Sequence, residues 1–271
     1  MLAALALIPA GASAQTPAVP APVPAAPAPA PAPNPGDPGT NVVVPATAED
    51  PLEGLKKPAD EVILSDEEST TRWAHAQDNS KILISPNSGA RSVGRLRFFT
   101  EDRAAEVYLV LGARMDSLKR VWVEVRVPRR PNGQIGWVRQ DSVGMLYVVR
   151  TKLVIDRSKL RAQLYKQGRI IWSARVGVGK RGTPTPRGKF WIRERLRGLG
   201  NNTVYGPWAF GTSAYSNLSD WPGGGVVGIH GTNEPGLIPG RPSHGCVRVR
   251  NDKIRSLARL MPIGTPIEIV G

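Results

Sequence analysis

One cysteine and two histidines lie close together near the carboxyl end of the chain. Cys246 is the only cysteine among 271 residues, and two of the three histidines, His230 and His244, lie within the sixteen residues before it. A free thiol is mostly protonated at neutral pH, because its unperturbed pKa is about 8.5. A nucleophilic thiol therefore needs an imidazole within hydrogen-bond reach, with which it forms a thiolate–imidazolium pair. We predict Cys246 as the nucleophile and His230 as its base.

The backbone around these residues suits such a pair. His230 follows the apolar strand predicted at residues 226–229, and the connection to Cys246 is rich in proline and glycine, so the chain can turn back on itself. Gly245 allows a close approach of the backbone. Its amide and that of Cys246 are expected to point at a developing oxyanion.

Two other interpretations of Cys246 stay open from the residues alone. A single cysteine is often a small buried hydrophobic residue. A metal site formed by His230, His244 and Cys246 is the second interpretation, although a fourth ligand and any paired-cysteine spacing are missing from this sequence. The nucleophile is favoured because an exported protein with one cysteine has no partner for an internal disulfide.

The region around these residues, 145–271, is predicted to be mostly β with one packed helix. Gln167 and Gly168 form a tight hairpin turn, and Asn251 is expected to cap the helix. The apolar residues on one helix face are Ile254, Leu257, Ala258 and Met261. Strands are predicted at 147–149, 152–156, 161–166, 169–173, 188–192, 226–229 and 266–270.

The preceding region, 51–144, is predicted to be a second, smaller β domain. Residues 121–127 alternate between apolar and mostly polar side chains, and turn residues separate them from a short strand around Gly136-Trp137-Val138. Short strands with this ending resemble the small bacterial SH3-like barrels that accompany wall enzymes.

The first 50 residues point to export. Residues 1–14 combine an apolar run with small residues of the A-x-A type, which is typical of a secretory signal, although a basic start is missing from it. Residues 15–50 are mostly proline and alanine, a composition that favours an extended, disordered linker. We therefore expect an extracytoplasmic protein.

The formal net charge of +14 indicates an anionic partner or surroundings. Nucleic acid is not favoured, because the basic residues form no long run and no zinc-finger, basic-helix or RNA-binding signature is present in the sequence. Anionic cell-wall polymers fit the charge equally well.

Two segments resemble a known family. IHGTNEPGLIPGRPSHGCVR is similar to the active-site signature of the YkuD-type L,D-transpeptidases, in which an HGT segment precedes S-H-G-C-x-R. TPTPRGKFWI, residues 183–192, resembles the T-P-x-G-x-F segment of the same family. The resemblance implies a mainly β fold: a small SH3-like barrel followed by a β-sandwich-like catalytic domain with one packed helix.

The resemblance also implies a reaction and roles for the matching residues. Cys246 would form a thioester with a tetrapeptide stem of peptidoglycan, and an amine from a neighbouring stem would resolve it into a 3→3 cross-link without a cofactor. His230 would move the protons, with its ring oriented by the Gly231 carbonyl. The oxyanion and substrate-binding residues would be Gly245, His244, Ser243 and Arg248, with Arg248 either pairing with a substrate carboxylate or purely structural.

Three functions remain from the sequence. The first is the L,D-transpeptidase, with carbapenems as expected covalent inhibitors. The second is an L,D-carboxypeptidase, in which water resolves the same acyl-enzyme. The third is a non-catalytic wall-binding protein that uses the SH3-like region.

Overall fold

The structure is a computed structural model that describes residues 51–198, 200–220 and 222–271. The predicted secretory signal, 1–14, and the predicted linker, 15–50, lie outside the described residues. Among the described residues, no helix has the length and apolar character needed to cross a membrane.

The first part of the described chain forms one sheet of eight short strands. Its strands are β1 (Glu61–Ile63), β2 (Thr71–Ala74), β3 (Lys81–Leu83), β4 (Ser92–Arg95), β5 (Tyr108–Met115), β6 (Val121–Arg126), β7 (Ile135–Arg139) and β8 (Tyr147–Val149). The order is β4-β3-β7-β6-β5-β2-β8, with β1 paired to β5, and every pairing is antiparallel.

This sheet extends further along the chain than the sequence indicates. The predicted boundary at residue 145 assigns Tyr147–Val149 to the second region, whereas β8 pairs with β2 of the first sheet. Long-range pairing of this kind has no local signal in the sequence. The SH3-like assignment of residues 51–144 stays a prediction.

The second part forms a nine-stranded sheet. Its strands are β9 (Thr151–Asp156), β10 (Arg161–Lys166), β11 (Arg169–Gly179), β12 (Gly188–Arg197), β13 (Trp208–Tyr215), β14 (Val226–His230), β15 (Gly240–Ser243), β16 (Val247–Val249) and β17 (Pro266–Val270). The order is β10-β9-β17-β12-β13-β14-β16-β11-β15, and β10 also pairs with β11. That pairing closes the sheet on itself, and the predicted mainly β class is confirmed.

Local sequence explains the β10–β11 hairpin. Gln167 and Gly168 both have positive φ angles, 50° and 74°, as the tightest two-residue hairpin turn requires. The strands that follow are longer than predicted: β11 continues to Gly179 and β12 to Arg197, because sheet neighbours on both sides hold them extended.

A single α-helix is described, α1 (Asn251–Leu260), together with 3₁₀ turns at Gln140–Ser142, Pro222–Gly225 and Pro235–Leu237. The predicted apolar face is confirmed, because Ile254, Leu257 and Ala258 are buried in the core of the second sheet. The predicted cap is wrong. Arg250 occupies the N-cap position without a side-chain cap, and the Asn251 side chain is engaged elsewhere.

The two sheets share a buried interface. Trp73, Val107 and Leu109 of the first part pack with Trp191 of β12, whose Nε1 donates to the Val107 carbonyl at 2.8 Å. Beside them, Arg193 of β12 donates through Nε to Glu106 Oε1 at 2.7 Å, and both side chains are 0% exposed. Glu101 and Arg97 extend this ion-pair network towards the surface.

We predict that Glu106→Gln lowers the free energy of unfolding by about 3–5 kcal/mol, because it removes the fully buried carboxylate that neutralises Arg193 and leaves only the partly exposed Glu101 to do so. Denaturant unfolding measures this difference. The control is Asp141→Asn, which breaks the exposed pair with Arg139 and should stay within about 0.5 kcal/mol of the parent protein. Equal effects of the two substitutions would contradict the prediction.

Candidate active site

A short parallel ladder brings the candidate nucleophile and base together. β14 pairs with β16 so that Ile229 lies opposite Val247 and His230 opposite Arg248. Cys246 directly precedes β16, and the same register sets it level with Gly228. Alternate residues of a strand share a face, so Cys246 and His230 lie on the same side of the sheet.

Gly228 separates the two side chains without filling the space between them. Its amide donates to Cys246 Sγ at 3.3 Å. A Cβ at this position would lie 3.7 Å from His230 Cδ2 and 3.8 Å from Sγ, so both reactive side chains border the same gap. In the described part of the chain, no hydrogen bond joins Sγ to the imidazole. Such contacts commonly tighten only when substrate is bound.

The His230 ring is held in one tautomer. Its side chain is only 5% exposed, and Nδ1 lies 2.6 Å from the Gly231 carbonyl oxygen. A carbonyl can only accept a hydrogen bond, so Nδ1 carries the hydrogen and the neutral ring presents Nε2 as the proton acceptor. The Gly231 amide donates to the Trp208 carbonyl at 3.1 Å, which anchors the turn after β14 to β13.

Burial sets the protonation state of both groups. Burial, helped by the nearby Arg248 charge, lowers the pKa of His230 to about 4. Hydrogen bonding with the backbone of Gly231 and Val204 opposes this shift. Burial also raises the pKa of the Cys246 thiol, although the Gly228 amide opposes this shift. The favoured resting state is therefore a neutral thiol beside a neutral imidazole. The sequence analysis expected a thiolate–imidazolium pair instead. The expectation differs from these pKa shifts because the spacing of residues in the sequence contains no information about their burial.

The corner before Cys246 requires glycine. Gly245 has a φ of +129°, and a Cβ there would approach Ser216 Cβ to 3.1 Å. Ser243 closes the turn, since its Oγ donates to the Cys246 carbonyl at 2.6 Å and accepts from the Gly245 amide at 3.2 Å. Gly245 and Ser243 thus shape the backbone at the nucleophile, while their roles in oxyanion or substrate binding stay predictions.

Thr185 is a site residue that the sequence analysis did not single out. It is buried in the T-P segment, its Oγ1 donates to the Gly245 carbonyl at 2.7 Å, and it accepts from the Gly179 amide at 2.9 Å. One hydroxyl therefore ties the T-P segment to the S-H-G-C segment. The quoted motif contains Thr185, but only the tertiary structure shows what it contacts.

His244 and Arg248 occupy different environments. His244 is exposed, and its Nε2 lies 2.9 Å from Lys180 Nζ. Arg248 is half-buried, and its Nη1 lies 2.6 Å from Glu234 Oε2. Its guanidinium thus already has a carboxylate partner. Substrate contacts for either residue stay predictions.

Two further residues border the site. Tyr205 stands edge-on to the His230 ring at a centroid distance of 5.1 Å. Burial raises the pKa of its phenol, and a Cys246 thiolate formed at high pH raises it further. Asn251 accepts from the Thr232 amide at 2.8 Å through Oδ1 and donates to the Asn201 carbonyl at 3.2 Å. These contacts attach α1 to the turn after His230, and no local sequence pattern indicates them.

A metal site finds no support in the part of the chain that the structure describes, where no group of three or more His, Cys, Asp or Glu side chains is placed to hold an ion. The site instead combines a thiol with an imidazole, which are the groups that acyl transfer through a thioester uses, without a further cofactor.

Comparison with known proteins identifies the family of the second part of the chain. Residues 150–269 match the YkuD family, described as the L,D-transpeptidase catalytic domain. The YkuD protein of Bacillus licheniformis, whose name assigns it to the L,D-transpeptidases, is 37% identical over 118 residues, covering 44% of this chain and 64% of the relative. Its Bacillus subtilis counterpart is 32% identical over 123 residues, covering 45% and 68%.

A solved structure is also similar, the L,D-transpeptidase LdtMt1 in complex with imipenem. It is 16% identical and covers 83% of this chain and 97% of its own, with a TM-score of 0.38. The chain spans less than two thirds of the length of the B. licheniformis relative.

We predict that Cys246 shows no thiolate at neutral pH. Burial raises the pKa of the thiol, so the thiolate should appear only above the ordinary range, while His230, with a pKa of about 4, should stay neutral until the pH falls to that value. The pKa of the thiol is measured over a pH series as the thiolate absorbance of the parent protein minus that of Cys246→Ala. The pKa of His230 is measured by NMR titration of the imidazole protons, which are assigned with His230→Gln. A thiolate signal at neutral pH would refute the neutral pair.

Proposed function

Since this chain belongs to the YkuD family of L,D-transpeptidase catalytic domains, we propose that it forms 3→3 cross-links in peptidoglycan through a thioester on Cys246. The observation that carries the proposal is the half-buried thiol beside a buried, tautomer-locked imidazole. This arrangement supplies the nucleophile and the base for acyl transfer without a preformed charge.

In the first step the thiol attacks the donor stem. His230 Nε2 takes the proton of Cys246 as Sγ bonds to the carbonyl carbon of the third stem residue. The C–N bond to the terminal D-alanine then breaks, and the imidazolium returns the proton to the leaving amine. A thioester on Cys246 and free D-alanine result, with His230 again neutral.

In the second step an amine of a neighbouring stem resolves the thioester. Its nitrogen attacks the thioester carbonyl, His230 takes the surplus proton, and the C–S bond breaks to release the cross-linked product. The proton returns to Sγ and restores the neutral pair. If water attacks instead, the same acyl-enzyme gives a shortened stem, which is the L,D-carboxypeptidase alternative.

The low pKa of His230 keeps the imidazole neutral but also makes it a weak base towards the thiol. We therefore propose that the proton moves only as Sγ bonds to the carbonyl carbon, and that the resulting imidazolium is acidic enough to protonate the leaving amine. The Gly245 amide, which the sequence analysis expected at the oxyanion, already donates to Ser243 Oγ. We propose that the Cys246 amide supports the developing oxyanion, with Ser243 and Thr185 holding the shape of the Gly245 corner.

We also propose an extracytoplasmic location, because the substrate of this reaction lies outside the cytoplasm and residues 1–14 have the character of a secretory signal. We propose no nucleic-acid partner. Carbapenems are proposed as covalent ligands of Cys246, as the family resemblance implies.

Anionic wall polymers are a further proposed partner, and one hairpin supports them. At the two ends of the β10–β11 hairpin, Arg161 lies directly opposite Arg175, and Lys166 directly opposite Arg169, and all four residues are exposed. Like charges in this position destabilise a sheet. None of the four side chains forms a salt bridge with any described residue. Asp156 lies opposite Arg161 on β9, but the Asp156 carboxylate accepts a hydrogen bond from Ser158.

Mass spectrometry of the intact protein tests the proposed nucleophile. After incubation with a carbapenem, the parent protein should gain the mass of one molecule and Cys246→Ala none. His230→Ala should react about 10²–10⁴-fold more slowly, because the base is lost. No gain on the parent protein, or an equal gain on Cys246→Ala, would overturn the cysteine mechanism.

Products from a purified tetrapeptide stem separate the remaining alternatives. Cross-linked dimers support transfer, and shortened monomers support the carboxypeptidase. Binding to wall material that is unaffected by Cys246→Ala, with no product from the stem, would favour the non-catalytic wall-binding protein.

We predict that reversing the charge of the hairpin tip weakens wall binding. Lys166→Glu with Arg169→Glu should reduce co-sedimentation with purified wall polymer at low salt, and added salt should erase the difference because exposed charges are screened. Lys56→Glu with Lys57→Glu, an equal charge change at exposed positions, is the control. An equal loss from both double variants would assign binding to net charge rather than to the hairpin.

A further inference from the structure

A guanidinium from the first part of the chain reaches across to the catalytic part. Arg130, in the turn between β6 and β7, donates to three backbone carbonyls of the segment after β13: Gly224 at 2.9 Å, Ser216 at 3.0 Å and Leu218 at 3.0 Å. Its guanidinium also lies over the Tyr215 ring, 4.8 Å from the centroid. One side chain therefore gathers both ends of a single loop.

Asn132 adds a second attachment at the start of the same loop. Its Nδ2 donates to the Tyr215 carbonyl at 2.8 Å, and its Oδ1 accepts from the Tyr215 amide at 3.0 Å. This two-point pairing copies the hydrogen bonds of a neighbouring strand. It also holds the end of β13 in register with the first part of the chain.

The described residues of this loop, 216–220 and 222–225, contact two segments beside the nucleophile. Ser216 packs against Gly245, where an added Cβ would come within 3.1 Å of Ser216 Cβ. Asn217 donates to the Gly182 carbonyl at 3.1 Å, which joins the loop to the segment that carries Thr185. The loop then runs directly into β14, whose Gly228 amide bonds to Cys246 Sγ.

We propose that Arg130 and Asn132 are positioning residues for the Gly245–Cys246 corner, so that the first part of the chain completes the reactive geometry of the second. The inference rests on the proposed function for its kinetic consequence. Its structural basis is independent of it, because the hydrogen bonds act on the loop backbone whatever substrate is used.

The rest of the interface separates positioning from general stability. The two parts are already held together by the Trp191–Val107 hydrogen bond and the buried Arg193–Glu106 pair. Arg130 is only half-buried at the rim and contacts the loop rather than the interface core. Its removal should therefore loosen the loop while the two sheets stay joined.

The experiment compares Arg130→Ala, Arg130→Lys and Asn132→Ala with the parent protein, each as the full chain. The first readout is the second-order rate constant of carbapenem acylation, and the second is backbone hydrogen exchange. The control is Lys189→Met, which removes a pair with Glu67 across the same interface without touching the loop. Thermal unfolding of every variant shows whether stability has changed.

We expect Arg130→Ala to acylate about 10–100-fold more slowly, because small displacements of reacting groups carry penalties of that size. Arg130→Lys should recover part of the loss, since an ammonium can satisfy some of the carbonyls but not in the planar fork of a guanidinium. Exchange should accelerate in residues 216–225 and 243–246 of Arg130→Ala and not in β9 or β10. Lys189→Met should match the parent protein in both readouts.

Arg130→Ala with parental acylation and parental exchange at residues 243–246 would overturn the inference, as would an equal loss in Lys189→Met. A parent protein that carbapenems leave unmodified would instead refute the proposed function. The exchange pattern then decides the positioning role by itself: faster exchange at 243–246 supports it, and parental exchange overturns it.

Discussion

The parallel ladder between β14 and β16 is the contact on which the site depends. Two register pairs align Ile229 with Val247 and His230 with Arg248, and the same register sets Gly228, two residues before His230, level with Cys246. Side chains alternate along a strand, so a slip by one residue would turn Cys246 to the opposite face, away from His230. The other features of the site hold this register. The Gly245 corner delivers Cys246 to the ladder, Thr185 ties that corner to the T-P segment, and Asn251 secures the turn after His230.

Burial then decides what the aligned residues can do. The protein surroundings that exclude water from the site disfavour both charged forms. They favour neutral imidazole over imidazolium at His230 and thiol over thiolate at Cys246. These pKa shifts therefore favour a neutral His230 imidazole, held in one tautomer, beside a neutral thiol over a thiolate–imidazolium pair. In the proposed reaction, the same surroundings would shield a thioester on Cys246 from water, and the balance between transfer and hydrolysis would depend on that shielding.

The buried interface fixes the position of the two sheets relative to each other, so that residues of both can hold the site. Burying the Arg193–Glu106 pair costs desolvation free energy. The hydrogen bonds of the pair offset this penalty only if both sheets stay in one relative position. The aromatic packing around Trp191 restricts the same position by shape. Given this fixed junction, a side chain on a turn of the first sheet, such as Arg130, can hold a loop beside the nucleophile in the second.

Residue types and local patterns were enough to predict the mainly β class and several local elements. The Gln167-Gly168 turn and the apolar face of α1 follow from neighbours in sequence, where turn preferences and helical periodicity operate. The sequence also selected Cys246 and His230 as candidates, and the structure places their side chains at one gap. Thr185, Asn251 and Arg130 have no such signal, because each contacts backbone atoms far away in the chain. The pKa shifts that favour a neutral thiol and a neutral imidazole were also decided by the tertiary structure. Solvent exclusion depends on how distant strands and loops enclose a group, and the spacing of two residues contains no information about that enclosure.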